Sequence, residues 1–170
     1  MNDYNFITAP SYYIGTFPEN TIKIFLAGTI DSGNSKNWQM ELIRKFQERN
    51  NPNIFLFNPR RDNWPKDSDH NEVEKQINWE HKYLDDSDLI IMNILPDSKS
   101  PISLMEIGLY AQSGKLIVFC NENFYRYDNV KLVCKKYNIP IYDYNDSELI
   151  YLTTKQILFD TYFKLDNKEH

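Results

Sequence analysis

Two glutamates occupy positions where a helix would carry apolar side chains. Glu106 lies in "SPISLMEIGLYAQSGK" (residues 100–115), where aliphatic and aromatic residues surround it. Glu80 lies in "NEVEKQINWEHKYL", within a stripe of 4, 3, 4 spacing that should face the core. The stripe consists of Val73, Ile77, Glu80 and Leu84. Paired carboxyl groups suit glycosidic bond chemistry, in which one is the nucleophile and the other the proton donor.

Structural explanations of Glu106 compete with this chemical one. An unpaired buried carboxylate is costly, so Glu106 could pair with Arg60 or Arg61, or bind a neighbouring backbone group. The residue pattern leaves these alternatives open. Ser100 suits the N-cap of the helix and Pro101 its first position. The positive end of the helix dipole would then favour an ionised Glu106, as a nucleophile requires.

Short apolar runs alternate with stretches of helical period along the chain. The predicted strands are 22–28, 53–59, 88–95, 115–120 and 139–144. The predicted helices are 36–50, 71–86, 100–115, 130–138 and 146–163. This alternation predicts an α/β fold: a doubly wound, flavodoxin- or Rossmann-like, mostly parallel five-stranded sheet flanked by helices. Ligands of such sheets bind beyond the carboxyl ends of the strands, so the loops after the first three strands carry the candidate site.

Length and composition predict one globular domain. The chain has 170 residues, and we place the domain at 21–163, after an extended lead-in at 1–20 and before a disordered tail at 164–170. The net charge of -5 and the pI of about 5.2 argue against a nucleic acid polymer as partner, because such partners attract clustered Lys and Arg. Without a signal peptide or membrane span, we expect a cytoplasmic protein that binds no membrane.

The remaining ligand-type residues predict no metal site. Cys120 and Cys134 lack metal-ligand spacing and are interpreted as buried thiols, and the three histidines show no ligand spacing either. Trp38 and Trp79 lie on predicted helices, where a core position is the simpler interpretation. Asp31 is equally compatible with an Asx-turn in "TIDSG" and with substrate contact.

Five segments in their order resemble one enzyme family. They are "IFLAGTID" followed by "NWQ", "NPRRDNW", "INWEHKYLDDSDLIIMNI" and "SPISLMEIGLYAQSGKLIV". Together they are similar to the nucleoside 2-deoxyribosyltransferase superfamily, particularly its nucleoside 2-deoxyribosyltransferase-like branch, over residues 22–145. The resemblance implies a homo-oligomer that exchanges the nucleobase of a 2′-deoxyribonucleoside by double displacement, without metal or cofactor. Its partners would be a nucleoside or nucleotide and a nucleobase.

The resemblance also implies roles for individual residues. Glu106 matches the nucleophile that forms a glycosyl ester, and Glu80 matches the position of the acid that helps to protonate the leaving base. The turn that contains Gly28 and Thr29 would line the sugar side of the pocket, as would Asp31 in the same loop.

The segment "NPRRDNW" would serve the base end of the pocket. Asp62 is the candidate for contact with the edge of the base, with Asn58 and Trp64 as helpers. Arg61, like its neighbour Arg60, is open to three interpretations: an ordinary loop charge, a group that neutralises a catalytic acid, or a phosphate contact.

Three positions depart from the family pattern or bear on the substrate. Phe25 stands where many members have Tyr, so any role of that hydroxyl is absent here or supplied elsewhere. Ser100 stands where the nucleoside transferases tend to have Asp, and the related deoxynucleotide N-glycosidases have Ser that contacts a 5′-phosphate. Asp31 occupies the loop where those hydrolases show Arg. The alternatives are therefore a deoxynucleoside 5′-monophosphate N-glycosidase and a non-catalytic nucleotide-binding module.

Overall fold

Strands and helices alternate along the chain in the computed structural model, which describes residues 5–63 and 69–163. The strands are β1 (Phe6–Thr8), β2 (Ile22–Gly28), β3 (Ile54–Asn58), β4 (Leu89–Ile94), β5 (Leu116–Cys120) and β6 (Ile141–Tyr142). The helices are α1 (Trp38–Glu48), α2 (His70–Asp86), α3 (Pro101–Tyr110), α4 (Tyr127–Tyr137) and α5 (Ser147–Leu158). A 3₁₀ turn at Asp31–Gly33 follows β2, and a π-helical turn at Phe159–Phe163 follows α5.

The sheet has six strands in the order β1-β3-β2-β4-β5-β6, and every pairing is parallel. The predicted doubly wound α/β fold is therefore confirmed, but the expected number of five strands is one too low. The additional strand, β1, comes from the lead-in and pairs with β3 at the edge of the sheet. It has only three residues, so it carries no periodic signal. The predicted tail lies outside the described residues.

Alternating side chains of β2 separate the core into two layers. Ile24 and Leu26 face the layer that contains α1 and α5. Phe25 and Ala27 face the opposite layer, which contains α2, α3 and α4. All four side chains are almost fully buried, as expected of a central strand covered by helices on both faces. None of the helices among the described residues is long and apolar enough to span a membrane.

The crevice that can hold a ligand lies between the carboxyl ends of β2 and β4. These two strands are neighbours in the sheet, but α1 after β2 and α3 after β4 pack on opposite faces. Such a reversal of winding opens a crevice at the edge of the sheet. Gly28 ends β2 at this point with φ +132°, and its Cα lies against the backbone of Asn93.

Helix α2 buries a different face from the one that its sequence predicts. Val73 and Ile77 are 38% and 42% exposed, so the predicted apolar stripe is wrong at these two positions. The buried residues are Gln76, Trp79, Tyr83 and Leu84. This face packs on the sheet, where Trp79 contacts Phe25 and Tyr83 stacks on Phe57. The lead-in adds a polar contact, since the indole of Trp79 donates to the carbonyl of Ser11 at 2.8 Å.

The two helical tryptophans are core residues, as predicted. Trp38 is 1% exposed and Trp79 is fully buried. Each also satisfies its indole N–H, since Trp38 donates to the carbonyl of Thr29 at 3.0 Å. Burial of both rings therefore leaves no polar atom unpaired on the indole.

A methyl group at Gly28 should disrupt the sheet. An Ala Cβ there would lie 2.0 Å from the carbonyl oxygen of Asn93, which is backbone and cannot move aside. We expect Gly28→Ala to lower the free energy of unfolding by at least about 3 kcal/mol, measured by urea denaturation. Gly108→Ala is the matched control: no atom lies near its new Cβ, so stability should stay the same or rise by up to about 1 kcal/mol. Equal effects of the two substitutions would contradict this explanation.

Candidate active site

Glu106 is the sixth residue of α3 and points into the crevice. Its side chain is 8% exposed, and Ser103, one turn earlier on the same face, is 4% exposed. Pro101 occupies the first turn, where its missing N–H costs nothing. The helix is apolar on most sides, so its position over the sheet is fixed by packing of Ile107 and its neighbours rather than by polar contacts.

Glu80 lies in the middle of α2 and faces the same cavity as Glu106. The cavity has a volume of about 320 Å³, and we call it the first lobe. It is lined by Phe25, Ala27, Gly28, Ile30, Asp31, Pro59, Glu80, Ser100, Pro101, Ile102, Ser103 and Glu106. Two carboxyl groups from consecutive helices are thus brought together at the carboxyl end of the sheet.

The two carboxyl groups influence each other's ionisation. Burial, and then the negative charge of Glu80, raise the pKa of Glu106 to about 8. Burial also raises the pKa of Glu80, while hydrogen bonding from Gln76 and the charge of His81 oppose this rise. At neutral pH Glu106 is therefore protonated in the free protein. The expectation that the helix dipole keeps Glu106 ionised is wrong for the free protein, because the dipole's effect fades beyond the first turn.

Neither of the two arginines considered as partners pairs with Glu106. The guanidinium of Arg60 donates to the carbonyls of Gly33, Ser35 and Lys36 at 3.0, 2.7 and 2.9 Å. Arg61 forms an ion pair with Glu72 at 3.3 Å. Arg60 thus fixes the loop after β2, and no ion pair to Glu106 exists within the described part of the chain.

A cluster of three hydroxyl groups supports the floor of the first lobe. Thr29 Oγ1 lies 2.7 Å from Ser100 Oγ and 3.0 Å from Ser98 Oγ, and these two serine oxygens are 2.8 Å apart. The N–H of Leu95 donates to Thr29 Oγ1 at 2.9 Å. Thr29 itself is 1% exposed, so it joins the loops after β2 and β4 from beneath the cavity while Gly28 lines it.

Ser100 departs from ordinary capping geometry. It occupies the N-cap position of α3, as predicted, but its side chain makes no capping hydrogen bond. Its backbone is left-handed, with φ 44° and ψ 50°, which turns the hydroxyl group toward Thr29. The side chain therefore serves the hydroxyl cluster, and the strained backbone is held at the wall of the cavity.

A second lobe of about 330 Å³ continues the first. The two lobes share Ile30, Pro59, Glu80 and Ile102. The second lobe is also lined by Gly33, Arg61, Asp62 and Gln76. Asp62 and Arg61, both sequence candidates, therefore lie in the crevice together with Glu80.

Two other sequence candidates from the loop after β3 are placed differently. Asn58 is buried below the loop, where its Oδ1 accepts from the N–H of Arg60 at 3.0 Å and its amide donates to Thr8 Oγ1 at 3.3 Å. Asn58 lines neither lobe and shapes the loop instead. Trp64 lies outside the described residues.

Asp31 lines the first lobe with a positive φ of 46°. The turn that it begins is closed by the backbone, since Gly33 N donates to Ile30 O at 2.9 Å and Asn34 N to Asp31 O at 3.0 Å. The Asp31 carboxylate makes no hydrogen bond within the described residues, so the Asx-turn interpretation is wrong. Its exposed side chain borders the cavity.

The sequence interpretation missed three residues that line the crevice. Ser103 precedes Glu106 by three residues, a spacing that places both on one face of α3. Pro59 and Ile102 line both lobes, and no local pattern indicates this. Contact across two loops and a helix is a tertiary property.

No cluster of three metal-type ligands occurs in 5–63 or 69–163. Cys120 and Cys134 are buried free thiols, and burial raises their pKa to about 12 and about 11. A further cavity of about 430 Å³ lies at the amino ends of β1 and β3, but no charged side chain lines it. The crevice with the two glutamates is therefore the candidate active site.

Replacement of Glu106 by Gln should stabilise the protein increasingly as pH rises. The pKa of Glu106 is about 8 in the folded state, against an ordinary value of 4.5. The folded protein thus holds a proton that the unfolded chain releases, so wild-type stability falls between these two pH values, while Gln does not titrate. Thermal unfolding of both proteins should give a difference in Tm that grows from about pH 5 to about pH 8.

Glu41→Gln is the control of opposite sign. Burial opposes ionisation of Glu41, but hydrogen bonds from Lys36 and Ser147 outweigh it and lower the pKa. Glu41 therefore contributes stability above its ordinary pKa of 4.5, and its replacement should destabilise at pH 8. A constant difference in Tm between Glu106→Gln and wild type across pH would contradict the raised pKa of Glu106.

Comparison with known proteins identifies the family. One structural neighbour is a crystal structure described as a conserved protein from Enterococcus faecalis V583, with 15% sequence identity and a TM-score of 0.57 over 81% of this chain and 99% of that chain. At this identity the likeness concerns the fold. No curated protein matches the chain. The family model described as "Nucleoside 2-deoxyribosyltransferase like" matches residues 21–124, which include both glutamates and the loops of the crevice. The chain therefore belongs to the nucleoside 2-deoxyribosyltransferase-like family.

Proposed function

We propose that the protein exchanges the nucleobase of 2′-deoxyribonucleosides by N-glycosyl transfer. The observation that carries this proposal is the placement of Glu80 and Glu106 in one cavity, where the charge of one raises the pKa of the other. Family membership supports the same substrate class. A pair of carboxyl groups offers both the nucleophile and the acid that a retaining displacement requires.

The reaction proceeds in two steps. A carboxylate oxygen of Glu106 attacks the anomeric carbon, the bond from that carbon to the base nitrogen breaks with its electron pair moving to the base, and Glu80 gives the base a proton. A nitrogen of the incoming base then attacks the same carbon, and the ester bond to Glu106 breaks. The proton on that nitrogen passes to Glu80. Two inversions retain the configuration of the sugar.

Glu106 must lose its proton before it can attack. In the free protein it is protonated at neutral pH, because burial and Glu80 raise its pKa to about 8. The proposed reaction therefore begins with transfer of this proton toward Glu80, which lies between the first lobe and the second. The positive charge that the deoxyribose gains in the transition state then stabilises the ionised Glu106.

The two lobes divide the substrate between sugar and base. The first lobe contains the nucleophile and would hold the deoxyribose. Asp62 in the second lobe would accept a hydrogen bond from the edge of the base. Arg61 lies in the same lobe, and its ion pair with Glu72 anchors the loop there.

A hydrolase acting on deoxynucleoside 5′-monophosphates is the second candidate. It is favoured by Ser100 and Ser103, which bring hydroxyl groups rather than a carboxylate to the start of α3. A helix N-terminus favours an anion such as phosphate. Asp31 at the rim of the same lobe opposes phosphate by charge.

An assay of base exchange tests the proposal. Pure protein is incubated with deoxynucleosides and their 5′-monophosphates, each with and without a free acceptor base, and products are separated by chromatography. We expect a new nucleoside only when acceptor is present. Glu106→Ala should lower the rate at least about 1,000-fold, because no ester can form, and Glu80→Gln should lower it about 100-fold or more.

Other product patterns point elsewhere. Free base that appears without acceptor, from the monophosphates above all, would establish the hydrolase. Ligand binding without turnover, unaffected by Glu106→Ala, would replace the enzyme by a nucleotide-binding module. Glu41→Gln, remote from the crevice, is the control that should leave turnover unchanged.

We propose that the protein also forms a homo-oligomer through α2 and α3. These helices expose apolar side chains on the face that borders the crevice. They are Val73, Ile77, Ile102, Met105 and Leu109, between 38% and 62% exposed. Ile102 belongs both to this surface and to the lining of the two lobes. A second copy would cover the apolar surface and close the rim of the cavity.

Light scattering coupled to size exclusion tests the oligomer. We expect the wild type to elute as a dimer or larger, and the double variant Met105→Glu/Leu109→Glu to elute as a monomer, because a charge opposes burial at the interface. The control is Leu152→Glu on α5, which is 52% exposed on the opposite face of the sheet. A monomeric wild type would refute the proposal.

A further inference from the structure

Gln76 lies against Glu80, and the mechanism above does not use it. It precedes Glu80 by one helical turn on α2 and is 7% exposed. Its Nε2 donates to the carbonyl oxygen of Pro59 at 2.9 Å and to Glu80 Oε1 at 2.8 Å. One amide nitrogen thus joins the loop after β3 to the candidate acid.

The carbonyl of Pro59 fixes the orientation of the Gln76 amide. If the amide were reversed, its oxygen would face two acceptors, a backbone carbonyl and a carboxylate oxygen. With nitrogen at this place, both amide protons are committed, one to each acceptor. Glu80 Oε1 can then only accept a hydrogen bond, so any proton on Glu80 must reside on Oε2.

We propose that Gln76 is a positioning residue that holds Glu80 Oε1 as an acceptor and thereby assigns the transferable proton to Oε2. This inference rests on the proposed function, since it concerns the acid of that reaction. Glu80 lines both lobes, and its bound oxygen is tethered through Gln76 to Pro59, which also lines both. The tether restricts the rotation of the carboxyl group, so that Oε2 keeps one direction while the proton passes to the leaving base.

The other end of the amide supports this assignment. Gln76 Oε1 is buried and has no hydrogen-bond partner within the described residues. The hydrogen bonds of Nε2 to Pro59 and Glu80 are therefore the polar contacts that hold this amide among the described residues, and an apolar side chain of the same length could make neither of them.

Gln76→Met separates positioning from structure. The substrates are 2′-deoxyguanosine, whose base must be protonated as it leaves, and 7-methyl-2′-deoxyguanosine, whose base departs as a neutral molecule without a proton. We expect kcat for the first to fall at least about tenfold and kcat for the second to change by less than about threefold. The Tm is measured alongside and should fall, because the carbonyl of Pro59 loses its donor; such a loss of stability affects both substrates equally, whereas loss of positioning does not.

Two further variants sharpen the test. Gln76→Met should have little additional effect in a Glu80→Gln background, because Gln76 acts through Glu80. Gln156→Met is the matched control: Gln156 donates to Asp160 at 3.0 Å with the same spacing of four on α5, on the other face of the sheet. Its kcat should not change. Equal losses on both substrates, or a full additional loss in the double variant, would overturn the proposal.

A wild-type protein without activity in the base-exchange assay would contradict the proposed function, but it would not contradict the hydrogen bond between Gln76 and Glu80. In that case NMR titration of ¹³C-labelled glutamate carboxyls decides the inference. Hydrogen bonding from Gln76 lowers the pKa of Glu80, against the raising effect of burial, while Glu106 and His81 face the same group. Gln76→Met should therefore raise the pKa of Glu80. An unchanged pKa would refute the positioning role whatever the enzyme's activity.

Discussion

Burial of two carboxyl groups in one crevice is the constraint on which the rest of the site depends. Glu106 is 8% exposed and has no ion-pair partner in the described part of the chain. Protonation of Glu106 replaces a counter-ion, because burial and the nearby charge of Glu80 raise its pKa to about 8. The same arrangement that makes ionisation costly in the free protein places two carboxyl groups at the wall of one cavity.

The fold makes this burial possible by fixing the crevice from below and from both sides. Gly28 lets β2 approach the backbone of β4, and the hydroxyl of Thr29 joins the loops that follow these two strands. Arg60 holds the loop after β2 through backbone carbonyls. Loops held by this many polar contacts do not need the carboxyl groups for their own stability, so both glutamates face the cavity instead of serving as loop contacts.

The sequence predicted the order of strands and helices, because this order depends on local periodicity. It did not predict β1, since a strand of three residues is too short to carry a period. It also misplaced the buried face of α2, because Trp79 and Tyr83 pack on Phe25 and Phe57 of the sheet, and aromatic packing of this kind is a tertiary contact. The sequence also did not predict the partners of Arg60 and Arg61, because the type of a charged residue does not specify which distant carbonyl or carboxylate it contacts.

Phe25 bears both on the packing around the two glutamates and on the pKa of Glu106. It is 1% exposed, lines the first lobe, and its ring lies 6.0 Å from that of Trp79. A tyrosine at this position could donate a hydrogen bond from its hydroxyl to an ionised glutamate and lower the pKa of that glutamate. Phenylalanine offers no such donor, so burial and the charge of Glu80 raise the pKa of Glu106 without opposition from this position. The carboxyl group that carries this charge accepts a hydrogen bond from Gln76, so the electrostatics of Glu106 depend on contacts made one helix away.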